Sequence, residues 1–304
     1  MSFLSQSSSG RNDISSYVLS VCLILLSYGF LGSLPLLIDL KLAGINLQEI
    51  RSLQEMARIL GKNRLLIHLL LPFVFTFLSI VISIKYFHKR TFLSVLTASN
   101  QFRWKRFFMT FSIWWLIMSI FLMINLASGI QLKWNFVPDK FFILVLISFL
   151  IIPIQTTAEE VLFRGYLGQS IFRKTGSIFH TIITTSLFFA LMHAFNPEVE
   201  TLGYGILIYY FLTGAFLSIM TVMDDGMELS IGYHAANNVF TAIMITSNWQ
   251  AFQTDALFVD TSIPSFGIDS ILTLLIVQPL MLFVFSKKYK WENWKKILPG
   301  HQSN

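Results

Sequence analysis

The sequence predicts an all-α membrane protein, a helical bundle of about eight transmembrane helices. Three observations carry that class. The chain is 54% hydrophobic and only 12% charged, where a soluble domain has about 25% charged residues. Apolar runs of roughly 18 residues or more recur along the whole length, each enough to cross a bilayer as a helix. Alternating segments of about ten residues, as a transmembrane β-barrel requires, do not occur.

The elements follow in order. Met1–Ser16 is polar and Ser-rich and reads as a disordered tail. The first apolar run, 17–38, is too long for a signal peptide and lacks a cleavage site, so it reads as an anchor. Asp39–Asn63 is polar, but Leu47, Ile50, Leu53, Met56 and Leu60 recur at helical spacing, which predicts an amphipathic helix at the interface. Spans follow at 65–86 and 107–129. The next, 141–172, is unusually long, with Pro153 placed to kink it before Glu159 and Glu160. Arg173-Lys174-Thr175-Gly176 reads as a helix stop and turn. The chain returns over 177–196 and stops at Asn196-Pro197. Spans at 202–223, 229–248 and 268–287 complete the transmembrane domain, 17–288. Residues 289–304 form a basic tail.

The net charge of +6 does not point to nucleic acid. The basic residues sit in loops and in the tail from Lys287 to Lys296, as topology signals do, and the tail can touch anionic lipid. With eight spans both termini share a side. That side collects fourteen Lys and Arg residues and the other seven, Arg164 lying inside a span. The positive-inside rule then puts both termini in the cytoplasm. Cys22 is the single cysteine, so no intrachain disulfide forms and a thiolate metal site is implausible. No internal repeat is visible, which argues against an inverted-repeat transporter.

Glu159 and Glu160 are the only acids between Asp139 and Glu198. One ionised side chain near the bilayer centre costs about 2.5–3.5 kcal/mol, so two together demand a reason. Glu160 and Arg164 are four apart and share a helix face, and a structural ion pair explains them. It does not explain Glu159, which points about 100° away and needs another partner or a proton. Glu159 lies fifteen residues before Lys174 and His193 sixteen after Ser177, so an antiparallel hairpin brings the two to similar depth. His234 and Asn238 share a face of the seventh span and offer an oxyanion site, a metal site or a bond to a facing helix. Asn237 should point elsewhere. His68, with only Arg64 near it at helical spacing, reads as structural; His88, His180 and His301 receive no role. Six polar groups on three helices would cost on the order of 10 kcal/mol unpaired, and a shared water-filled pocket relieves most of that.

Glu159-Glu160-x-x-x-Arg164, Phe189-x-x-x-His193 and His234-x-x-x-Asn238 resemble, in order and spacing, the CPBP family of CAAX proteases and bacteriocin-processing membrane proteins, also called Abi. The resemblance covers about residues 150–245 and implies a family-like core at about 141–250. The three spans before Phe141 add nothing to it beyond membrane character. It implies an intramembrane endopeptidase in which Glu159 and His193 activate water and His234 and Asn238 stabilise the oxyanion. Glu160 and Arg164 would order the pocket or receive a substrate carboxylate.

Metal-free hydrolysis is the expectation. Zinc on Glu159, His193 and His234 is the competing chemistry, though the chain has no His-Glu-x-x-His motif. From the Arg173 turn Glu159 is about 20 Å away, and from the Asp224-Asp225-Gly226 loop His234 is about 12 Å away; the two agree if the Arg173 turn protrudes, with the pocket opening to the cytoplasm. The expected partners are a peptide or membrane-protein substrate and the bilayer, and the expected location is a bacterial plasma membrane. Two non-enzymatic readings remain. A proton-coupled transporter would need polar residues on further spans, and the first three are nearly free of them. A silent immunity or scaffold protein could have lost residues that are all present here.

Overall fold

In the computed structural model residues 2–46, 50 and 52–299 are described. Helices α1 (Ile14–Leu42), α3 (Lys62–Phe87), α4 (Trp104–Ala127), α5 (Pro138–Thr175), α8 (Ile206–Met223) and α10 (Ile268–Tyr289) are each long and apolar enough to cross a membrane. The remaining two predicted spans are also helical but shorter: α6 (Ile178–Met192) has 15 residues and α9 (Glu228–Met244) has 17. Among the described residues six helices thus meet the length and apolarity of a span, where about eight were expected. The shortfall has a cause. α6 stops at His193, just before Asn196-Pro197, and α9 gives up apolar positions to Glu228, His234, Asn237 and Asn238.

The predicted amphipathic stretch is reduced to α2 (Leu53–Leu60). Ser52 caps it by accepting from the Glu55 N–H at 3.1 Å, and Gly61 at φ +82° ends it. Its apolar face covers Leu40 and Leu65. Leu47 and Arg51 fall outside the described residues, as does His301. A small sheet caps the end of the bundle away from the termini. Its strands β1 (Leu132–Trp134), β2 (Ile245–Thr246) and β3 (Phe258–Asp260) run in the order β1-β3-β2, antiparallel then parallel.

α9 is the central helix. It packs on α4, α5 and α8, while α6 packs on α8 and α3 on α5. The contact with α4 depends on Gly232, where a Cβ would run into the Phe107 carbonyl. The start of α9 is clamped. Arg103 donates to both oxygens of Glu228, at 2.8 and 2.5 Å, and to the Asp224 carbonyl at 3.0 Å. Arg106 and the Trp291 indole bind the Asp224 carboxylate. Burial pushes Asp224 up in pKa, and the two arginines oppose that. The clamp fixes the height of α9 and therefore of His234.

 The clamp does so by tying the α8–α9 turn to the first turn of α4.

The N-terminal tail departs from the expected disorder. Leu4–Ser8 is a short 3-10 helix, and Phe3 and Leu4 are buried against Val95, Val161, Ile182 and Val222. The Phe3 N–H donates to Asp225 Oδ1 and its carbonyl accepts from Gln169 Nε2, both at 2.9 Å. Burying two such side chains contributes roughly 1.5–3 kcal/mol each, which outweighs the polarity of the serines around them. The basic tail packs as well, through buried Trp291 and a bond from Lys296 Nζ to the Val222 carbonyl at 3.4 Å.

Candidate active site

The site is built on the middle of α5, the end of α6 and the first half of α9. α5 does not run as a regular helix past the glutamates: Val161–Leu167 forms a π turn. Such turns re-aim side chains and recur at functional sites. Gln155, Glu160, Arg164 and His234 are buried, and Glu159, His193 and Asn238 are partly so.

Glu160 is the hub. Its Oε1 accepts from Arg164 Nη1 at 3.0 Å and from His234 Nδ1 at 2.8 Å. Its Oε2 is buried and makes no hydrogen bond among the described residues. Arg164 is also held by other partners. It donates further to the Gly214 carbonyl at 3.1 Å and to Ser218 Oγ at 3.3 Å, and lies over the Phe189 ring at 4.5 Å. The expected Glu160–Arg164 pair is therefore present, and the guanidinium is buried among these partners.

Glu159 is held differently. Its Oε1 accepts from Gln155 Nε2 at 2.8 Å, and its Oε2 lies 3.5 Å from His234 Nε2. His234 thus stands between the two carboxylates. The expected pairing of Glu159 with His193 is not made: Glu159 meets Gln155 and His234, and no hydrogen bond joins it to His193 among the described residues. His193 Nδ1 is tied to the Phe189 carbonyl at 2.7 Å, and the ring stacks on Tyr210 at 4.2 Å. If Nδ1 carries the proton of that bond, Nε2 is the lone-pair nitrogen. Phe189 touches both histidine rings, with centroids 4.6 Å from His193 and 6.1 Å from His234.

Asn238 Nδ2 donates to Gln155 Oε1 at 3.1 Å. Asn237 does not point elsewhere: its Nδ2 donates to Asn238 Oδ1 at 3.1 Å, because the Trp114 indole takes its Oδ1 at 3.2 Å. The third predicted span therefore does reach the site. Gln155 was within reach of sequence reasoning, since it lies one helical turn before Glu159. Trp114 and Asn237 left no signal, because their link is tertiary. Among the described residues no group of three His, Cys, Asp or Glu side chains is arranged to hold a metal ion.

Residues 138–240 match the family model for type II CAAX prenyl endopeptidase, Rce1-like. The matched segment runs from the start of α5 into α9 and holds all six site residues named from the sequence. The family is one of CAAX-type proteases. With the six long apolar helices, the match makes this an integral membrane protein. Uncharacterized protein YyaK of Bacillus subtilis (strain 168) is 30% identical over 178 residues, which are 57% of this chain and 59% of that protein. The chain therefore covers less than two thirds of that relative. No solved structure gives a significant match.

Proposed function

We propose that the chain is an intramembrane endopeptidase that hydrolyses peptide bonds of membrane-associated or precursor peptides with a glutamate-activated water. The observation that carries this is the asymmetry of the two glutamates. Glu160 is neutralised by Arg164 and locked to His234. Glu159 has no guanidinium on it and faces the same histidine at 3.5 Å. A base needs a carboxylate that is held in place yet free to take a proton, and Glu159 meets both conditions.

In the proposed step Glu159 takes a proton from a water that His193 Nε2 helps to orient. The water oxygen attacks the scissile carbonyl carbon, and the carbonyl π electrons move to oxygen. His234 and Asn238 stabilise that oxyanion by hydrogen bonding. Collapse breaks the C–N bond, and the proton on Glu159 passes to the leaving amine. Glu160 and Arg164 hold His234 and do not touch the substrate. No metal is assigned a part, and the location in a bacterial plasma membrane with both termini cytoplasmic belongs to the same proposal.

The test uses purified protein in detergent against two probes, a farnesylated CAAX peptide and an unprenylated membrane-segment peptide, with wild type, Glu159→Ala and a chelator arm. Cleavage by the wild type, kept with chelator and reduced at least about 10²-fold in the variant, is the expected outcome. Loss with chelator would replace the water-activation scheme by a metal one. Equal cleavage by wild type and variant would remove Glu159 from the chemistry.

A further inference from the structure

Three side-chain amides in this site form a chain whose direction is fixed at both ends. The Trp114 indole is a donor only, so Asn237 must turn Oδ1 to it, at 3.2 Å. Asn237 then has its NH2 for Asn238 Oδ1, at 3.1 Å. Asn238 in turn has its NH2 for Gln155 Oε1, at 3.1 Å. Gln155 is left to donate Nε2 to Glu159 Oε1, at 2.8 Å, and an ionised carboxylate is an acceptor only. Reversing any one amide would set donor against donor or acceptor against acceptor all along the line. Trp114 is itself fixed: it is buried and packs on Tyr233 with ring centroids 4.3 Å apart.

We propose that Trp114, acting through Asn237, and Gln155, bonded directly to Asn238, are positioning residues that hold the Asn238 amide with its NH2 available to the oxyanion. This rests on the endopeptidase reading above. It adds a residue of α4 that lies outside the segment matching the family. The two ends are not equivalent during turnover. The Glu159 end enforces the direction only while Glu159 is ionised. Once Glu159 has taken the proton from water, it can donate as well as accept. At that moment the tetrahedral oxyanion exists and needs the Asn238 NH2. Only the indole end still forbids a flip, because the indole N–H does not titrate in this range.

The kinetic test measures kcat and KM on whichever of the two probe peptides the wild type cleaves, with melting curves to confirm folding. Trp114→Phe is expected to lower kcat about tenfold with KM within about twofold, the scale of one lost hydrogen bond. Asn237→Asp is near-isosteric and keeps an acceptor for the indole but has no NH2. It invites Asn238 to turn its own NH2 away from Gln155, and a fall of about 10²-fold in kcat is expected. Both variants folded and at wild-type kcat, or a change in KM alone, would overturn the proposal. A second measurement is independent of activity and so separates this proposal from the endopeptidase reading. In protein labelled with 15N-tryptophan, the Trp114 indole N–H resonance, assigned by its loss in Trp114→Phe, is expected to move in Gln155→Leu, three hydrogen bonds away. An unmoved resonance would show that the chain is not continuous and would overturn the proposal even if the enzyme is active.

Discussion

Two clusters of histidine, carboxylate and arginine lie within the long apolar helices, and they are built to different rules. Where the end of α1 meets the start of α3, Asp39 Oδ2 accepts from His68 Nε2 at 2.6 Å, and Arg64 pairs with Oδ1. One carboxylate meets one guanidinium, and the arginine side chain is 57% exposed. In the α5–α9 cluster, Arg164 and Glu160 are 1% and 0% exposed, and a second carboxylate, Glu159, is left beside His234. The first cluster is charge-balanced and wet at one side. The second has its guanidinium and Glu160 buried and carries one acid more than that arginine can neutralise: Glu159, 13% exposed. Under the proposed function, what distinguishes the second cluster is not its histidine–carboxylate contact, which the first also has, but the spare carboxylate held next to it.

The largest expected effect separates the two glutamates. Glu160→Gln leaves Arg164 without its carboxylate in a buried site, and breaking such a pair costs about 3–5 kcal/mol. Glu159→Gln removes no guanidinium contact and should change stability by less than about 1 kcal/mol, while reducing kcat by about 10³-fold. Thermal or denaturant unfolding and peptide cleavage on both variants check this. If the two substitutions destabilise equally, the division into a structural and a working carboxylate is wrong.

Sequence pattern exposed one side of this contrast better than the other. Glu159, Glu160 and Arg164 stood out because charge in an apolar run is costly, and His234 and Asn238 because of their four-residue spacing. His68 was read with Arg64 alone, because Asp39 sits on a different helix and no spacing rule links them. The same reason hid Trp114. Its indole N–H needs a partner when buried, but the partner is set by how α4 crosses α9 at Gly232. The N-terminal tail differs from the expectation for a compositional reason: its many serines mask Phe3 and Leu4, the two apolar side chains that anchor its packing. The π turn at Val161–Leu167 has no compositional signature at all.

The next effect is smaller and tests the balanced cluster. Asp39→Asn keeps the shape and a hydrogen-bond acceptor for His68 but removes the charge facing Arg64. With the arginine largely in solvent, screening limits the loss to about 1 kcal/mol, and kcat should stay within about twofold. Unfolding and cleavage on this variant, side by side with Glu160→Gln, measure how much of the difference between the clusters is burial. A loss as large as that of Glu160→Gln would mean that the Asp39–Arg64 pair is as strongly desolvated as the Glu160–Arg164 pair.

The smallest effect concerns a third histidine, outside the spans, that ties the packed N-terminal tail to the site helix. His88 follows α3 and is buried. Its Nδ1 meets the Arg11 carbonyl at 2.8 Å, and its Nε2 meets the Tyr166 hydroxyl of α5 at 2.9 Å and Ser20 Oγ at 3.2 Å. Burial pushes the His88 ring below the ordinary histidine range; the Arg11 carbonyl opposes this, and the Arg90 charge adds to it. The unfolded chain titrates this group near about 6.5, so below that pH the unfolded state binds more protons than the folded one. The contribution to stability is then full above about 6.5 and is lost as the pH falls from there through the folded value. Lowering the pH from 7.5 to 5.5 should reduce Tm by a further few degrees, roughly 2–4 °C, in the wild type compared with His88→Gln. Equal slopes in the two proteins would show that the tail is held by Phe3 and Leu4 alone, with no contribution from the neutral imidazole.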